Sequence, residues 1–272
     1  MVERLALIVG AGGLVPPLVR AAQARGGPIK VLSLKPRRDL AAYDPVPFSL
    51  SHPEEAVEVI RSFGATHFVM AGGVSLSDIA RERLAGFFSG APVATSIGDT
   101  SLSDLVARLE SMTGAAPMGV HEIAPELLAP AGRIGGPELS PVQLDSARYG
   151  LRLAREAGAL DLGQAVVVAG RRTVAVEDIA GTDSLMRRVR WMRFRRLVAD
   201  GNSPLVLAKC RKPQQPMFLD LPAIGPRTVE NAARARISAV VVETGSTLII
   251  EREKVATAAD RLGVSVLGMH HE

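Results

Sequence analysis

The chain has 272 residues, of which 47% are hydrophobic, and this length suffices for two ordinary domains whose cores need neither disulfides nor metals. The formal net charge of +4 favours an anionic partner such as a polyphosphate or an anionic phospholipid. Nucleic acid is not expected as a partner, because aromatic residues make up only 4% and no stacking motif or recognition-helix pattern accompanies the arginines.

The cellular compartment is predicted from apolar runs and from cysteine usage. The first apolar run, Leu5–Val9, is too short for a secretory signal, and no apolar stretch approaches the length of a bilayer span. The single cysteine, Cys210, cannot form an internal disulfide, and no base motif accompanies it, so we interpret it as structural. We therefore expect a cytoplasmic protein. Peripheral contact with the cytoplasmic face of the inner membrane and a homodimer are both left open.

The first part of the chain alternates short buried-type strands with helical patterns. Three such strands separated by helices indicate a parallel sheet, so we predict a Rossmann-like N-terminal domain over residues 1–130. In chain order the predicted elements are strands over 5–9, 28–34 and 67–71 and helices over 14–25, 53–63, 77–87 and 100–113.

The alternation of strands and helices ends in a loop rich in proline, glycine and alanine, and a long amphipathic helix follows this loop. We assign residues 131–160 to a linker of loop and helix, and residues 161–272 to a C-terminal catalytic α/β domain. The elements predicted there are strands over 165–169, 173–177, 204–208, 239–243, 247–250 and 264–267 and helices that start at residues 182, 226 and 251.

A glycine turn, Gly10-Ala-Gly-Gly13, follows the first strand and precedes a helix. Glycines let backbone amides approach a phosphate, so Gly10, Gly12 and Gly13 are candidate substrate ligands. The dinucleotide fingerprint is incomplete, because position 15 is valine and the second strand is followed by basic residues instead of a ribose-binding carboxylate. A turn that only packs helix against strand is the alternative. Gly73 and Ser75 end the third strand, where open α/β sheets place ligands.

The most informative residue is Asp220, which lies just ahead of a helix start at Gly225-Pro226. The first amides of such a helix point toward whatever occupies the loop. Lys209 and Lys212 lie shortly upstream, so one site can hold both a polyanion and a metal-binding carboxylate. An ordinary loop with a solvated carboxylate is the alternative.

Two further polar segments are candidates. Thr182 and Asp183 stand at a helix start, where capping is the default role and contact with a diphosphate or its magnesium ion is the alternative. The turn Thr244–Thr247 lies between two apolar strands and can hydrogen-bond a uracil or a sugar, although a simple hairpin turn explains it almost as well.

These segments together resemble the LpxI family of UDP-2,3-diacylglucosamine pyrophosphatases, and the similarity runs nearly end to end. No single piece is diagnostic, but their order and spacing are specific. The matching stretches are 10–14, 71–75, His121-Glu122, Asp161-Leu-Gly-Gln164, Gly181-Thr-Asp183, 207–215, Asp220-Leu-Pro-Ala-Ile-Gly225 and 245–252, with Gly98-Asp99 between the second and third.

The resemblance implies hydrolysis of UDP-2,3-diacylglucosamine to UMP and 2,3-diacylglucosamine 1-phosphate in lipid A biosynthesis. A cleft between two α/β domains would supply cations for the diphosphate and an apolar groove for the acyl chains. The expected catalytic residues are Asp220, Asp183 and Lys209, with Mg²⁺ (or Mn²⁺) on Asp220 and Asp183; which acid is metal ligand and which is base stays open. The expected substrate-binding residues are Gly10, Gly12, Gly13, Gly73, Ser75, Gln164, Thr182, Lys212, Gln215 and Thr247.

The sequence departs from the family pattern at Leu76 and Phe218, where the family carries arginine, and at Thr100 and Pro216, where it carries aspartate. The changes at 216 and 218 imply the loss of one acid and one phosphate ligand. One alternative function is therefore a non-catalytic nucleotide- or lipid-binding homologue. An NADP-linked oxidoreductase is the other, and it rests only on the glycine turn and on Lys35, Arg37 and Arg38. Returning arginine to position 76 or 218 is expected to raise kcat/KM, unless another base already fills that role.

Overall fold

The first unit of the protein is built on a parallel sheet. A computed structural model describes residues 2–73, 99–198, 204–219 and 221–271, and it divides the chain into two units. The first unit comprises Met1–Glu126 and Pro216–Asp220. Its five strands lie in the order β3-β2-β1-β4-β5 and are all parallel: β1 (Leu5–Val9), β2 (Ile29–Ser33), β3 (Val46–Pro47), β4 (His67–Ala71) and β5 (Ala116–Pro117).

Helices follow these strands as the alternating pattern predicts. Prolines preset the first turn of the first two helices, and Gly64 ends the second in a left-handed conformation. The helices are α1 (Val15–Ala24), α2 (Pro53–Phe63), α3 (Asp99–Thr113) and the single turn α4 (Val120–Ile123), with 3-10 turns over Arg38–Tyr43 and Pro125–Leu127. The helix predicted over 77–87 lies outside the described residues.

The core of the first unit includes residues that are distant in sequence. Phe68 and Ile60 are fully buried between sheet and helices, and Leu219, from the short segment 216–219, is 6% exposed in the same cluster. Phe218 packs against this cluster as well. The segment that precedes Asp220 is therefore part of the hydrophobic core of the first unit.

The second unit comprises Leu127–Gln215 and Leu221–Glu272 and contains a mixed six-stranded sheet in the order β6-β13-β11-β9-β7-β8. Strands β9, β11 and β13 are parallel, whereas β6, β7 and β8 pair with their neighbours in antiparallel fashion. Their bounds are β6 (Gly132–Gly135), β7 (Ala165–Ala169), β8 (Arg172–Val176), β9 (Leu205–Lys209), β11 (Ile237–Glu243) and β13 (Ser265–Met269), and a separate parallel pair consists of β10 (Ala223–Ile224) and β12 (Leu248–Ile249).

Helices cover both faces of this sheet. Helix α5 (Pro141–Ala159) packs on one face, where Gly150 lets it approach closely, because an added Cβ would lie 2.9 Å from the Ala208 Cβ. Its start is a capping box between Ser140 and Gln143. The other face packs against α6 (Gly181–Phe194), α7 (Pro226–Arg234) and α8 (Arg252–Leu262). This arrangement confirms the predicted α/β fold with two α/β bodies.

Residues 131–160, for which a linker is predicted, contain β6 and α5, and both elements lie within the second unit. None of the helices in the part of the chain that the structure describes combines the length and the apolar character needed to cross a bilayer.

Candidate active site

Lys209 lies at the carboxyl end of β9, between strands β11 and β7, where α/β sheets place their ligands. Only 9% of Lys209 is exposed. Its ammonium donates to the Thr182 Oγ1 at 3.0 Å and to the Ala223 carbonyl oxygen at 3.3 Å. Neither acceptor is charged, and no carboxylate of the described residues pairs with Lys209. A buried cation held only by neutral acceptors is suited to receive an anion.

Thr182 connects Lys209 to a carboxylate. The Thr182 hydroxyl donates to Glu177 Oε1 at 2.5 Å, and Glu177 Oε2 accepts from the Gln164 backbone amide at 2.8 Å. The hydroxyl proton is thus directed at Glu177, which leaves the hydroxyl oxygen to accept from Lys209. This chain of hydrogen bonds fixes the Lys209 ammonium beside the first turn of α6. It brings together three residues predicted for the site: Lys209, Thr182 and Gln164.

Asp183 lies next to Thr182 but has different partners, both from α7. Its Oδ1 accepts from the Asn231 side-chain amide at 3.0 Å, and its Oδ2 lies 3.2 Å from the Arg227 guanidinium. The Asp183 side chain is 40% exposed. Asp183 is therefore held in place at the start of α6, with part of its charge compensated by Arg227.

Lys212 and Gln215 belong to the loop that follows β9. The Lys212 ammonium lies 2.5 Å from the Asp161 carboxylate, so the two matching motifs at 161 and 212 are in contact. Gln215 is 3% exposed. Its backbone amide donates to the Lys212 carbonyl, and its backbone carbonyl accepts from the Arg211 guanidinium. The Gln215 Oε1 is buried without a hydrogen-bond partner among the described residues.

The polar turn after β11 surrounds a carboxylate that sequence reasoning missed. Glu243 is 7% exposed and accepts from the Arg155 guanidinium at 3.1 Å, from the Ser246 hydroxyl and from the Arg211 amide. One feature of the sequence could have identified Glu243 as a site residue: it is an acid at the carboxyl end of a buried strand, where α/β sheets place their ligands. The same turn ends at Thr247, which is fully buried and whose Oγ1 has no partner among the described residues.

The hairpin interpretation of this turn is wrong. Strand β11 belongs to the six-stranded sheet, whereas β12 pairs in parallel with β10. Two consecutive apolar runs joined by a short polar turn resemble a hairpin in sequence, and only the pairing with the distant β10 distinguishes the two arrangements.

The glycine turn of the first unit is closed by its own backbone and by Arg37. Ala11 and Gly73 exchange backbone hydrogen bonds at 2.7 and 2.9 Å, and the Arg37 guanidinium donates to the Gly10 and Gly12 carbonyls and pairs with Asp39. The hydrogen bonds of the Arg37 guanidinium therefore stabilise the glycine turn. Gly12, Gly13 and Gly73 are exposed, and their predicted contact with substrate stays a prediction.

Asp220, Ser75 and Leu76 lie outside the described residues, as do Gly98 and the side chain of Thr100. The roles predicted for Asp220 and Ser75 stay predictions.

We expect Thr182→Val to lower the free energy of unfolding by about 1–3 kcal/mol, because Glu177 loses its hydroxyl donor and Lys209 loses an acceptor within a part-buried network. Thr182→Ser keeps the hydroxyl and is the control. Urea denaturation measures both. A valine variant as stable as the serine variant would contradict the network described above.

Cys210 is buried, and this burial, with a further contribution from Glu243, raises the pKa of its thiol to about 12. The folded thiol therefore stays protonated at neutral pH, which agrees with a structural role. We expect an aromatic disulfide reagent at pH 8 to label Cys210 only after denaturation. Because the folded thiol binds its proton more tightly than the unfolded one, stability should also fall as the pH rises above about 9. Rapid labelling of Cys210 in the native protein would contradict its burial as a protonated thiol.

Comparison with known proteins settles the family. The sequence profile of the LpxI N-terminal domain matches residues 4–127, and that of the LpxI C-terminal domain matches residues 130–267. The chain belongs to the LpxI family. A protein of Caulobacter vibrioides described as UDP-2,3-diacylglucosamine pyrophosphatase LpxI is 34% identical over 280 residues, which covers 98% of this chain and 98% of that protein. The resemblance inferred from the motifs is confirmed.

The two LpxI domain profiles follow the two units of the structure except in one place. Residues 216–219 lie within the LpxI C-terminal profile, but they group with the first unit, and Leu219 is buried in its core. The predicted catalytic carboxylate, Asp220, therefore directly follows in sequence a segment that packs in the core of the first unit.

Proposed function

We propose that this protein hydrolyses the diphosphate of UDP-2,3-diacylglucosamine, giving UMP and 2,3-diacylglucosamine 1-phosphate. The observation that carries the proposal is membership of the LpxI family along nearly the whole chain, with a relative described as a UDP-2,3-diacylglucosamine pyrophosphatase that aligns over 98% of both chains. The buried cation Lys209 supports it, because a site for a diphosphate requires positive charge in a partly desolvated position.

The described residues account for part of the chemistry. Lys209 neutralises charge that develops on a phosphoryl oxygen as water attacks, and the Thr182–Glu177 hydrogen bond keeps its ammonium in place before the reaction. The first turn of α6, which contains Thr182, adds backbone amides and the positive end of the helix dipole. In this proposal Asp220 orients the attacking water or holds the metal ion.

A magnesium or manganese ion is part of the proposal. Mg²⁺ takes one or two carboxylates together with phosphate oxygens and water, so it needs no cage of protein ligands. The Asp183 carboxylate fits such a donor set: it is 40% exposed, and among the described residues each of its oxygens has one partner, which leaves acceptor capacity. Asp183 and Asp220 would hold the ion, which would neutralise negative charge on the diphosphate.

We expect exhaustive treatment with EDTA to abolish hydrolysis, and Mg²⁺ or Mn²⁺ to restore it. Thermal unfolding with and without the chelator is the control, since chelation should leave the melting temperature unchanged if the ion serves only the reaction. Full activity in the metal-free protein would leave Asp183 and Asp220 without a metal role.

Substrate identity is tested by comparing UDP-2,3-diacylglucosamine with UDP-N-acetylglucosamine, which has the same diphosphate and no long acyl chains. UMP release measured by chromatography should be rapid for the acylated substrate only. Equal release from both would make the protein a general nucleotide-sugar pyrophosphatase, and release from neither would support the non-catalytic homologue.

The NADP-linked alternative has lost one of its supports. It rested on the glycine turn and on Lys35, Arg37 and Arg38, and the Arg37 guanidinium donates to the Gly10 and Gly12 carbonyls. A nicotinamide titration that shows no binding would dispose of it.

We propose that the protein works in the cytoplasm and contacts the inner membrane peripherally, because its substrate carries two acyl chains. A homodimer is the second candidate use of an exposed apolar surface, and vesicle flotation together with analytical ultracentrifugation separates the two.

A further inference from the structure

The exposed side of α6 presents aromatic and basic side chains together. Arg187, Arg190, Trp191 and Phe194 follow the i, i+3, i+4, i+7 spacing and so share one side of the helix, opposite the buried Leu185 and Val189. Trp191 is 55% exposed and Phe194 84% exposed. Leu197, 62% exposed, follows the helix end, and its amide donates to the Met192 carbonyl at 2.9 Å. We call Arg187, Arg190, Trp191, Phe194 and Leu197 the arginine–aromatic patch.

The charge of this segment has one sign. The run Arg187-Arg-Val-Arg-Trp-Met-Arg-Phe-Arg-Arg196 contains six arginines and no acid. Arg188 pairs with Asp178, but Arg187 and Arg190 form no ion pair with any residue that the structure describes. The Arg195 guanidinium lies 5.9 Å from the centre of the Trp191 ring. Large exposed apolar groups among such arginines need a partner that is both anionic and apolar.

We propose that the arginine–aromatic patch docks the protein on an anionic phospholipid bilayer. Arginine guanidinium groups bind lipid phosphates, while tryptophan and phenylalanine at the headgroup level bury their apolar atoms among the upper acyl carbons. A second copy of this chain is a poorer fit, because a symmetric contact would bring two arginine-rich faces together. Nucleic acid would match the charge but would leave Phe194 and Leu197 exposed.

The patch and the candidate active site share one helix. Thr182 and Asp183 lie in the first turn of α6 and Phe194 ends it, so about 18 Å of helix separates them at 1.5 Å per residue. If the proposed function holds, docking through the last turns of α6 places the first turn within reach of a lipid headgroup at the membrane surface. The docking itself requires no hydrolytic activity.

Flotation of the full-length protein with phospholipid vesicles tests the proposal. We expect binding to vesicles of phosphatidylcholine with phosphatidylglycerol, little binding to phosphatidylcholine alone, and release at high salt. Trp191→Ala with Phe194→Ala should weaken binding by about tenfold or more, since two aromatic side chains no longer bury their apolar area. Arg187→Glu with Arg190→Glu should weaken it by roughly 25-fold or more, at about fivefold per removed positive charge.

Matched controls separate the patch from general properties of the surface. Leu160→Ala with Leu162→Ala removes two exposed leucines elsewhere in the second unit, and Arg20→Glu with Arg61→Glu makes the same change of net charge on the first unit. Both control proteins should bind the anionic vesicles as the wild type does. Binding that all four variants weaken equally, or that none weakens, would overturn the proposal.

Two further measurements test the competing partners of the patch, a second copy of this chain and nucleic acid. Analytical ultracentrifugation that shows a dimer dissociated by the Trp191/Phe194 changes, with no vesicle binding, would overturn membrane docking in favour of self-association. Binding to a DNA duplex without vesicle binding would overturn it in favour of nucleic acid.

The docking proposal and the proposed function can be tested independently by comparing dispersed with vesicle-embedded substrate. With detergent-dispersed UDP-2,3-diacylglucosamine, the patch variants should keep wild-type kcat, and only the vesicle-embedded substrate should show a loss. Vesicle binding without hydrolysis in either form would leave the docking proposal intact and sink the proposed function. Equal loss of kcat in detergent would mean that the patch acts on the active site and would overturn a docking role.

Discussion

Asp220→Ala is expected to lower kcat for UDP-2,3-diacylglucosamine hydrolysis by about 10²–10⁴-fold, the range that positioned acid–base groups contribute. A carboxylate that orients water or holds a metal ion acts mainly in the transition state, so substrate affinity should change far less than kcat. Steady-state kinetics, with a separate binding measurement on the inactive protein, reports both quantities.

The control for Asp220→Ala is Asp145→Ala, which removes an exposed carboxylate that pairs only at 3.4 Å with Arg171. Its kinetics should match the wild type. Because Asp220 follows the core residue Leu219, the melting temperature of the Asp220 variant must also be compared with the wild type. A correctly folded Asp220→Ala protein with near-wild-type kcat would remove this residue from the mechanism.

Lys209→Met is expected to lower kcat by roughly 10²–10³-fold, as does the loss of one donor that stabilises a developing oxyanion. Methionine keeps much of the length of the side chain in a position that is 9% exposed, so packing is preserved while the charge is lost. Lys209→Arg should not restore full activity, because the planar guanidinium does not reproduce the contacts of a compact ammonium with Thr182 and Ala223.

Two readouts distinguish a catalytic Lys209 from a structural one. A purely structural residue would lower the melting temperature and leave kcat per folded molecule unchanged, whereas the proposed role predicts a large loss of kcat per folded molecule. Lys254→Met, which removes an exposed lysine paired with Glu251, is the matched control and should alter neither quantity. A Lys209→Met protein with reduced stability and normal kcat would contradict the catalytic assignment.

Sequence reasoning succeeded where the physical signal is local. Strands β1, β4, β7 and β9 are apolar runs covered on both sides, and such runs are recognisable because nearly every position is buried. Lys209 was placed at the end of one of these runs, and the contact of Lys212 with Asp161 joins two motifs that were already singled out. The start of α7 at Pro226 was recognisable from its Gly-Pro pair. The N-cap role predicted for Thr182 is wrong, because α6 begins at Gly181 without a side-chain cap and the Thr182 hydroxyl donates to Glu177 instead.

Sequence reasoning failed where distant segments decide the outcome. Phe218 stands where the family carries arginine, and the sequence suggested a lost phosphate ligand. In the structure Phe218 packs against the cluster that contains Leu219 and Phe68, so Phe218→Arg would place a charge against a hydrophobic core. Arg37, one of the basic residues on which the NADP-linked alternative rests, binds the carbonyls of the glycine turn. Neither contact has a local signature.

The most direct test of the proposed function is phosphorus NMR of the purified wild-type protein incubated with UDP-2,3-diacylglucosamine and Mg²⁺. Hydrolysis of the diphosphate predicts that its coupled phosphorus signals disappear and that two phosphomonoester signals, those of UMP and 2,3-diacylglucosamine 1-phosphate, grow in equal amounts. Coupled diphosphate signals that persist under conditions where the protein is folded and binds the substrate would contradict hydrolysis and leave a binding protein.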